Sequence, residues 1–245
     1  MPNAKERGIH FANRLQELPP HCKRIYLLRH GQTEWNKKGL MQGGTHDIPL
    51  NENGIEQARL ASEELSGISL DAIVSSHMKR AHQTADVIHQ NTLSHAKRLA
   101  LSEFGEMKFG SFEGNPIRGP DATEETKSNF ETLNQQMIRN LDQPWPGAGG
   151  ESTRDVEIRS RKGIEEMLNV CKEDKHIAIV AHGRINKIIL SSLLLNDASQ
   201  FRTIQQGNTC INVLDLDERE NRWSKVLINY IDHTEAQGMG SGGTL

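Results

Sequence analysis

Two histidines and two arginines, each placed where a short apolar run ends, are the side chains best placed to do chemistry. Arg29-His30-Gly31-Gln32-Thr33-Glu34-Trp35-Asn36 directly follows Ile25-Tyr26-Leu27-Leu28, a run of the length and type of a buried strand. Arg80 stands shortly after Asp71-Ala72-Ile73-Val74, and His182-Gly183-Arg184 closes Ile177-Ala178-Ile179-Val180-Ala181. Open parallel sheets bind ligands in the crevice outside the carboxyl ends of their strands. An imidazole beside a guanidinium there suits attack on an anionic electrophile, and Gly31 lets the backbone turn sharply after it.

A phosphate monoester is such an electrophile. It repels nucleophiles, so a site must neutralise it while holding the attacker in line. Arg29 and Arg80 can clamp its equatorial oxygens bidentately, which suits guanidinium better than ammonium. His182, at a strand end before a helix, and the side-chain amide of Asn36 supply further donors. Each positioned donor is typically worth ~3–4 kcal/mol in a transition state. His30 has the side chain of a nucleophile. One carboxyl group can protonate the leaving alkoxide and later take a proton from water. Glu103, Glu106 and Glu113 are all candidates, and spacing alone does not separate them.

Taken together, four blocks resemble the histidine phosphatase superfamily, the branch that also holds the cofactor-dependent phosphoglycerate mutases. They are Arg-His-Gly-x-Thr-x-x-Asn from Arg29, Ser75–Ala85, Glu106–Gly114 and Ile177–Gly183. The similarity runs from about Ile25 to about Leu216 in the family's order of motifs. The resemblance implies a phosphohistidine intermediate on His30. It also selects Glu106, because Glu106-Met107-Lys108-Phe109-Gly110 matches the family's Glu-x-x-aromatic-Gly pattern. The mutases carry Tyr where this sequence has Phe109, a Lys at the position of Ile117, and paired arginines in the cap. Residues 115–150 have no adjacent arginines, and Arg118, Lys127 and Arg139 are set against Asp121, Glu124, Glu125, Glu131 and Asp142. A cap for a bisphosphorylated, carboxylated substrate should be more basic. The expectation is a phosphatase acting on a small phosphorylated metabolite, with a mutase as the alternative. A non-catalytic binding protein on the same fold is a further alternative, disfavoured because His30, Arg29, Arg80, Glu106 and His182 are all present.

Strands alternating with helical patterns argue an α/β fold, three-layer αβα with a mainly parallel central sheet. Further strands are expected at Arg98–Leu101, Cys210–Leu216 and Lys225–Ile231. Asn51 should cap a helix with Ile55, Ala58 and Leu65 on its inner face, and a second helix should run from about His77 to Gln90. Ser152 opens a capping-box-like start, and Arg184–Leu195 is apolar nearly all round and so buried. Gly39, Gly43 and Gly44 lie in a loop that can bring backbone N–H groups to a phosphate. Residues 1–24 form an N-terminal extension in which Phe11, Leu15 and Leu18 share one helical face. Residues 25–232 form the main domain, with a small inserted cap at about 115–150. The tail 233–245, Gly-rich at its end, is expected to be flexible.

Length and charge narrow the field. The 245 residues suffice for one large core, and a formal net charge of −3 gives no bulk case for nucleic acid or anionic membrane. No apolar run approaches a membrane span, and the first 24 residues lack a secretory apolar stretch. Cys22, Cys171 and Cys210 form neither a disulfide framework nor a metal pattern, so a reducing cytoplasm is expected. No carboxylate cluster suggests magnesium or zinc, so no metal or other cofactor is implied, and oligomeric state is not legible. Arg184 falls in the first turn of a helix, where the dipole disfavours a cation by ~0.3–1 kcal/mol. Its position makes sense if it meets a second acidic group of the substrate, beyond the phosphate being transferred; the alternative is a side chain swung into solvent.

Overall fold

The computed structural model describes residues 4–92, 95–235 and 238. A six-stranded sheet forms from β1 (Cys22–Arg29), β2 (Ala72–Ser76), β3 (Lys97–Leu101), β4 (His176–Ala181), β5 (Ile211–Asp217) and β6 (Arg222–Tyr230), in the order β3-β2-β4-β1-β5-β6. The β3-β2-β4-β1 part is parallel, and β5 and β6 add an antiparallel edge. The sheet is therefore mixed and mostly parallel. The strand expected from Ile25 begins at Cys22, where Lys23 and Arg24 are buried by their own partners: Lys23 Nζ donates to three backbone carbonyls, and Arg24 pairs with Asp215.

Helices cover both faces. In chain order they are α1 (Ala4–Arg14), α2 (Glu34–Lys38), α3 (Glu52–Leu65), α4 (Lys79–Asn91), α5 (Glu124–Arg139), α6 (Thr153–Val170), α7 (Gly183–Leu195) and α8 (Asp232–Glu235). Successive strand residues point to opposite faces, so β1 divides its side chains between two cores. Tyr26 and Leu28 join Phe11, Ala61, Leu65, Ala81, Ala85 and Ile88 of α1, α3 and α4. Ile25 and Leu27 join Val156, Ile164 and Met167 of α6 and Ile185, Ile188 and Ile189 of α7. That second core extends through Phe109, Ile117, Met137 and Trp145 into segment 115–150, whose helix is α5.

Local signals explain the boundaries. Asn51 caps α3 by accepting from the Gly54 amide at 2.8 Å, and Ser152 forms a full capping box with Asp155 on α6. Two expectations are corrected. Ile55 is 50% exposed, because the inner face of α3 runs through Ala58, Ala61 and Leu65. The tail does not loosen at His233: Asp232–Glu235 is helical, His233 and Thr234 are buried, and a His233–Thr209 hydrogen bond of 3.2 Å ties them to the sheet. The rest of that tail, Gly238 apart, lies outside the described residues.

The extension is packed against the domain. Phe11 is fully buried, with its ring 5.1 Å from Tyr230, whereas Leu15 and Leu18 lie beyond the end of α1. Phe11→Ala should lower unfolding free energy by about 3–5 kcal/mol, the usual cost of a Phe-to-Ala cavity. Urea titration checks this; a loss within ~0.5 kcal/mol, as for surface changes, would mean that α1 is dispensable.

Candidate active site

The carboxyl ends of β1, β4 and β2 bring the candidate residues together. In the β1–β4 register Arg29 lies opposite Ala181, and the His30 amide donates to the Ala181 carbonyl at 3.1 Å. The next residue on each strand is therefore a histidine, and the His30 and His182 rings stand 5.1 Å apart, tilted by 62°. Gly31 allows the turn by packing directly on another backbone: a Cβ there would lie 2.3 Å from the Gly54 carbonyl oxygen. From the neighbouring strand, β2, α4 delivers Arg80 in its first turn.

His30 is buried, and its Nδ1–H donates to the Gly31 carbonyl at 2.7 Å. A carbonyl can only accept, so this bond fixes the tautomer and leaves the lone pair on Nε2. Burial, then the charges of Arg80 and Arg29, hold its pKa well below the ordinary histidine value. The imidazole is therefore neutral, as a nucleophile requires. His182 has the opposite tautomer. Its Nδ1 accepts from Arg80 Nε at 3.1 Å, so Nε2 carries the hydrogen, and Nε2 is buried without a partner among the described residues. Burial, Arg80 and His30 likewise keep its pKa well below the ordinary value.

Arg80 does more than offer charge. Besides orienting His182, it donates from Nη1 to the His46 carbonyl at 3.2 Å and from Nη2 to the Gly43 carbonyl at 3.1 Å. The glycine-rich loop thus presents carbonyl oxygens to Arg80, and the Gly44 amide is taken by the Met107 carbonyl. Of the amides that could have reached a phosphate, those of Gly39 and Gly44 are taken by the Asn36 and Met107 carbonyls. Arg29 donates from Nη1 to the Gln206 carbonyl at 2.7 Å, while its buried Nε has no partner among the described residues. Burial lowers the pKa of both arginines to about 10.

Glu106 arrives from the segment after β3. Its Oε1 accepts from the Met107 amide at 2.9 Å and the Ile185 amide at 3.1 Å; Oε2 accepts from the Arg184 amide at 3.0 Å. Glu106 therefore caps α7, whose own N-cap residue, His182, has no side-chain capping bond. Because Oε2 takes one amide, it keeps a lone pair for a proton. The other two carboxylates are engaged elsewhere. Glu103 pairs with Lys162, and Glu113 binds Phe109, Thr45 and His46.

Asn36 spends its Oδ1 on the Thr33 amide at 3.2 Å, within a capping box for α2, which leaves Nδ2 as its donor. Gly183 lies under Arg29: an added Cβ would be 3.3 Å from Arg29 Nε. Arg184 is buried rather than in solvent. Its Nη2 donates to Asn134 of α5 at 2.9 Å, and its guanidinium lies 4.7 Å from the Phe201 ring centre and 5.3 Å from that of Phe109. Sequence reading missed the segment 206–209, which holds the first motif from behind. There Asn208 Nδ2 donates to the His30 carbonyl at 3.0 Å, and Gln206 supplies the carbonyl for Arg29. Its one sequence signal is the unbroken polar run Gln205–Thr209 before a strand.

Known proteins resemble this chain along most of its length. A family model described as histidine phosphatase superfamily (branch 1) matches residues 25–229. An uncharacterized phosphatase, PhoE, of Bacillus subtilis is 31% identical over 205 residues, 84% of this chain and 94% of that protein. A probable phosphoglycerate mutase, GpmB, of Yersinia pestis is 30% identical, covering 79% of this chain and 85% of that one. Among solved structures, a phosphoserine phosphatase from Entamoeba histolytica in complex with 3-phosphoglyceric acid superimposes with a TM-score of 0.66. It is 29% identical and covers 86% of this chain and 98% of that one.

The buried neutral histidines carry a stability signature. A histidine whose pKa is lower folded than unfolded takes up its proton mainly in the unfolded chain. Its contribution is complete above the ordinary value of about 6.5 and is lost as pH falls towards the folded value. Unfolding free energy should therefore fall between pH 7 and 5, and His30→Asn should flatten that slope by up to about 1.4 kcal/mol per pH unit. Urea titrations across that range test this; identical slopes in both proteins would mean that His30 is not held neutral.

Proposed function

Because this chain belongs to the histidine phosphatase superfamily, we propose that it is a metal-independent phosphomonoester hydrolase. It works through a phosphohistidine on His30 and acts on a small phosphorylated metabolite. The observation that carries this reading is the fixed tautomer of a buried, neutral His30 among unpartnered donors. The phosphoryl group would sit between His30 Nε2 and the Nε–H groups of Arg29 and the Nε2–H of His182, with Asn36 Nδ2 and Arg80 completing the clamp.

In the first step the Nε2 lone pair forms a bond to phosphorus while the ester P–O bond breaks. The leaving oxygen takes the proton from Oε2 of Glu106. In the second step water attacks phosphorus and returns a proton to Glu106. The P–N bond then breaks, and phosphate leaves with His30 restored. Throughout, Nδ1–H stays on the Gly31 carbonyl, and Arg80 holds His182 with its donor towards the charge.

Phosphatases and a mutase both stand among the relatives, so mutase is the second reading. One observation favours it: although Ile117 is buried in the core, the next residue, Arg118, keeps a buried Nη1 without a partner among the described residues. Formation of 2-phosphoglycerate from 3-phosphoglycerate separates mutase from phosphatase. No helix among the described residues is long and apolar enough to cross a membrane, and all three cysteines are free and buried. Both facts support the cytoplasmic location proposed here.

Brief exposure to a labelled phosphomonoester should give an acid-labile, base-stable adduct on His30, and His30→Ala should abolish adduct and turnover. Normal turnover in that variant would sink the mechanism. Chelators should leave the rate unchanged; a large loss with EDTA would place a metal in the reaction. Glu106→Gln should slow alkyl phosphates far more than p-nitrophenyl phosphate, whose phenolate leaves with little protonation. Equal losses would reduce Glu106 to its capping role.

A further inference from the structure

The amino-terminal end of β1, remote from the candidate active site, carries a second cluster of groups able to share a cation. His21, Cys22 and Asp217 are the one set of three His, Cys, Asp or Glu residues among the described residues whose ligand atoms all lie within 4.8 Å of one another. Cys22 and Asp217 face each other across the antiparallel β1–β5 ladder, so their side chains leave the same face of the sheet. His21 precedes β1 in a turn, where the alternation of a strand does not apply. Its backbone is nonetheless fixed: the His21 carbonyl accepts from the Glu218 amide at 3.1 Å, and the Cys22 amide donates to the Pro19 carbonyl at 2.9 Å. No sequence spacing announces this set, because Asp217 belongs to another strand.

The distances suit coordination. His21 Nε2 and Asp217 Oδ2 stand 3.4 Å apart. Two bonds of about 2.0–2.2 Å meeting at a tetrahedral angle place their ligand atoms ~3.3–3.5 Å apart. The other oxygen of Asp217, Oδ1, accepts from the Arg219 and Glu220 amides at 2.9 and 3.2 Å, which leaves Oδ2 turned towards His21. Contacts of this kind orient a ligating carboxylate. Cys22 is buried, while the side chains of His21 and Asp217 are 31% and 17% exposed, so an ion can enter from solvent and keep a water on its open side. Imidazole nitrogen, thiolate sulfur and carboxylate oxygen together suit zinc, whereas magnesium and calcium take oxygen alone.

We propose that His21, Cys22 and Asp217 bind a divalent cation of the zinc class, with water as the fourth tetrahedral ligand, and that the ion clips the entry of β1 to the exit of β5. Burial, then Asp217 and Asp215, push the Cys22 thiol above its ordinary pKa, so the metal-free side chain keeps its proton. Coordination by Sγ sends that proton to solvent. The ion takes no part in phosphoryl transfer, since the eight residues of β1 separate it from His30 by about 26 Å, at ~3.3 Å per residue.

Zinc chloride titrated into the full chain, after stripping with EDTA, should bind as one equivalent and leave turnover of p-nitrophenyl phosphate unchanged. The thermal midpoint should rise by ~5–10 °C once free zinc reaches a hundred times Kd. Cobalt(II) in place of zinc should give a thiolate-to-cobalt charge-transfer band. Cys22→Ser should abolish both the band and the rise in midpoint, whereas Cys171→Ser and Cys210→Ser should keep them. Because Cys22 is buried, two partly exposed positions supply a check that does not disturb the core. His21→Gln and Asp217→Asn, the second keeping Oδ1 for the Arg219 and Glu220 amides, should each weaken zinc binding at least about tenfold, with the circular dichroism of the metal-free chain unchanged. Absence of binding, cobalt bound without a thiolate band, a band surviving Cys22→Ser, or full affinity in both His21→Gln and Asp217→Asn overturns the proposal. Inhibition by the first equivalent of zinc also overturns it, by placing the ion at the other end of the sheet.

Discussion

Buried arginine charge that forms no ion pair among the described residues is the constraint on which the rest of this structure depends. Taking a guanidinium out of water costs several kcal/mol even after relaxation. Here the cost is offset by backbone carbonyls at Gln206, Gly43 and His46 and by aromatic rings, rather than by carboxylates. Neutral acceptors hold the arginines in place without consuming their charge. Burial first, and then the charge of Arg80, keeps both histidines unprotonated.

The fold supplies the rigidity this needs. Parallel β1 and β4 end in register, and each is followed by a histidine, so the separation of the two rings is set by strand pairing. The glycine-rich loop and segment 206–209 close around the arginines from two sides. Glu106 joins the two halves of the site, because the carboxyl group proposed to carry the proton also terminates α7. A single packed core continues from α6 and α7 into segment 115–150 and ties α5 to the sheet.

Much of this was legible in the sequence where local rules and tertiary demands agree. Apolar runs followed by Arg-His or His-Gly marked β1 and β4, and the caps at Asn51 and Ser152 are short-range chemistry. Glu106 was separable from Glu103 and Glu113 only through the family resemblance, because its place is set by the start of α7, seventy-seven residues further along the chain. Ile55 was misassigned because helical spacing does not say which apolar residue the neighbouring helix covers. His233 was given to the tail because one buried turn with a hydrogen bond to Thr209 leaves no periodic trace. The loop at Gly43 was read as able to bring amides to a phosphate, yet it offers the Gly43 carbonyl to Arg80; the direction in which a peptide plane points is not written in residue type. Arg118 read as one basic residue in an acidic cap, and only the packing of Ile117 reveals where its neighbour stands.

The central claim is that His30 is a neutral imidazole with its hydrogen on Nδ1 and its lone pair on Nε2, the first held by the Gly31 carbonyl and the neutral state by burial and the neighbouring arginines. Nitrogen-15 correlation spectra of the histidine rings, recorded at neutral pH without added phosphate, test it most directly. His30 should show a protonated Nδ1 and an unprotonated Nε2, and His182 the reverse, with both patterns persisting as the pH is lowered to about 5.5, where an unperturbed histidine is mostly charged. An imidazolium signal for His30 at neutral pH, or a hydrogen on its Nε2, would contradict the account.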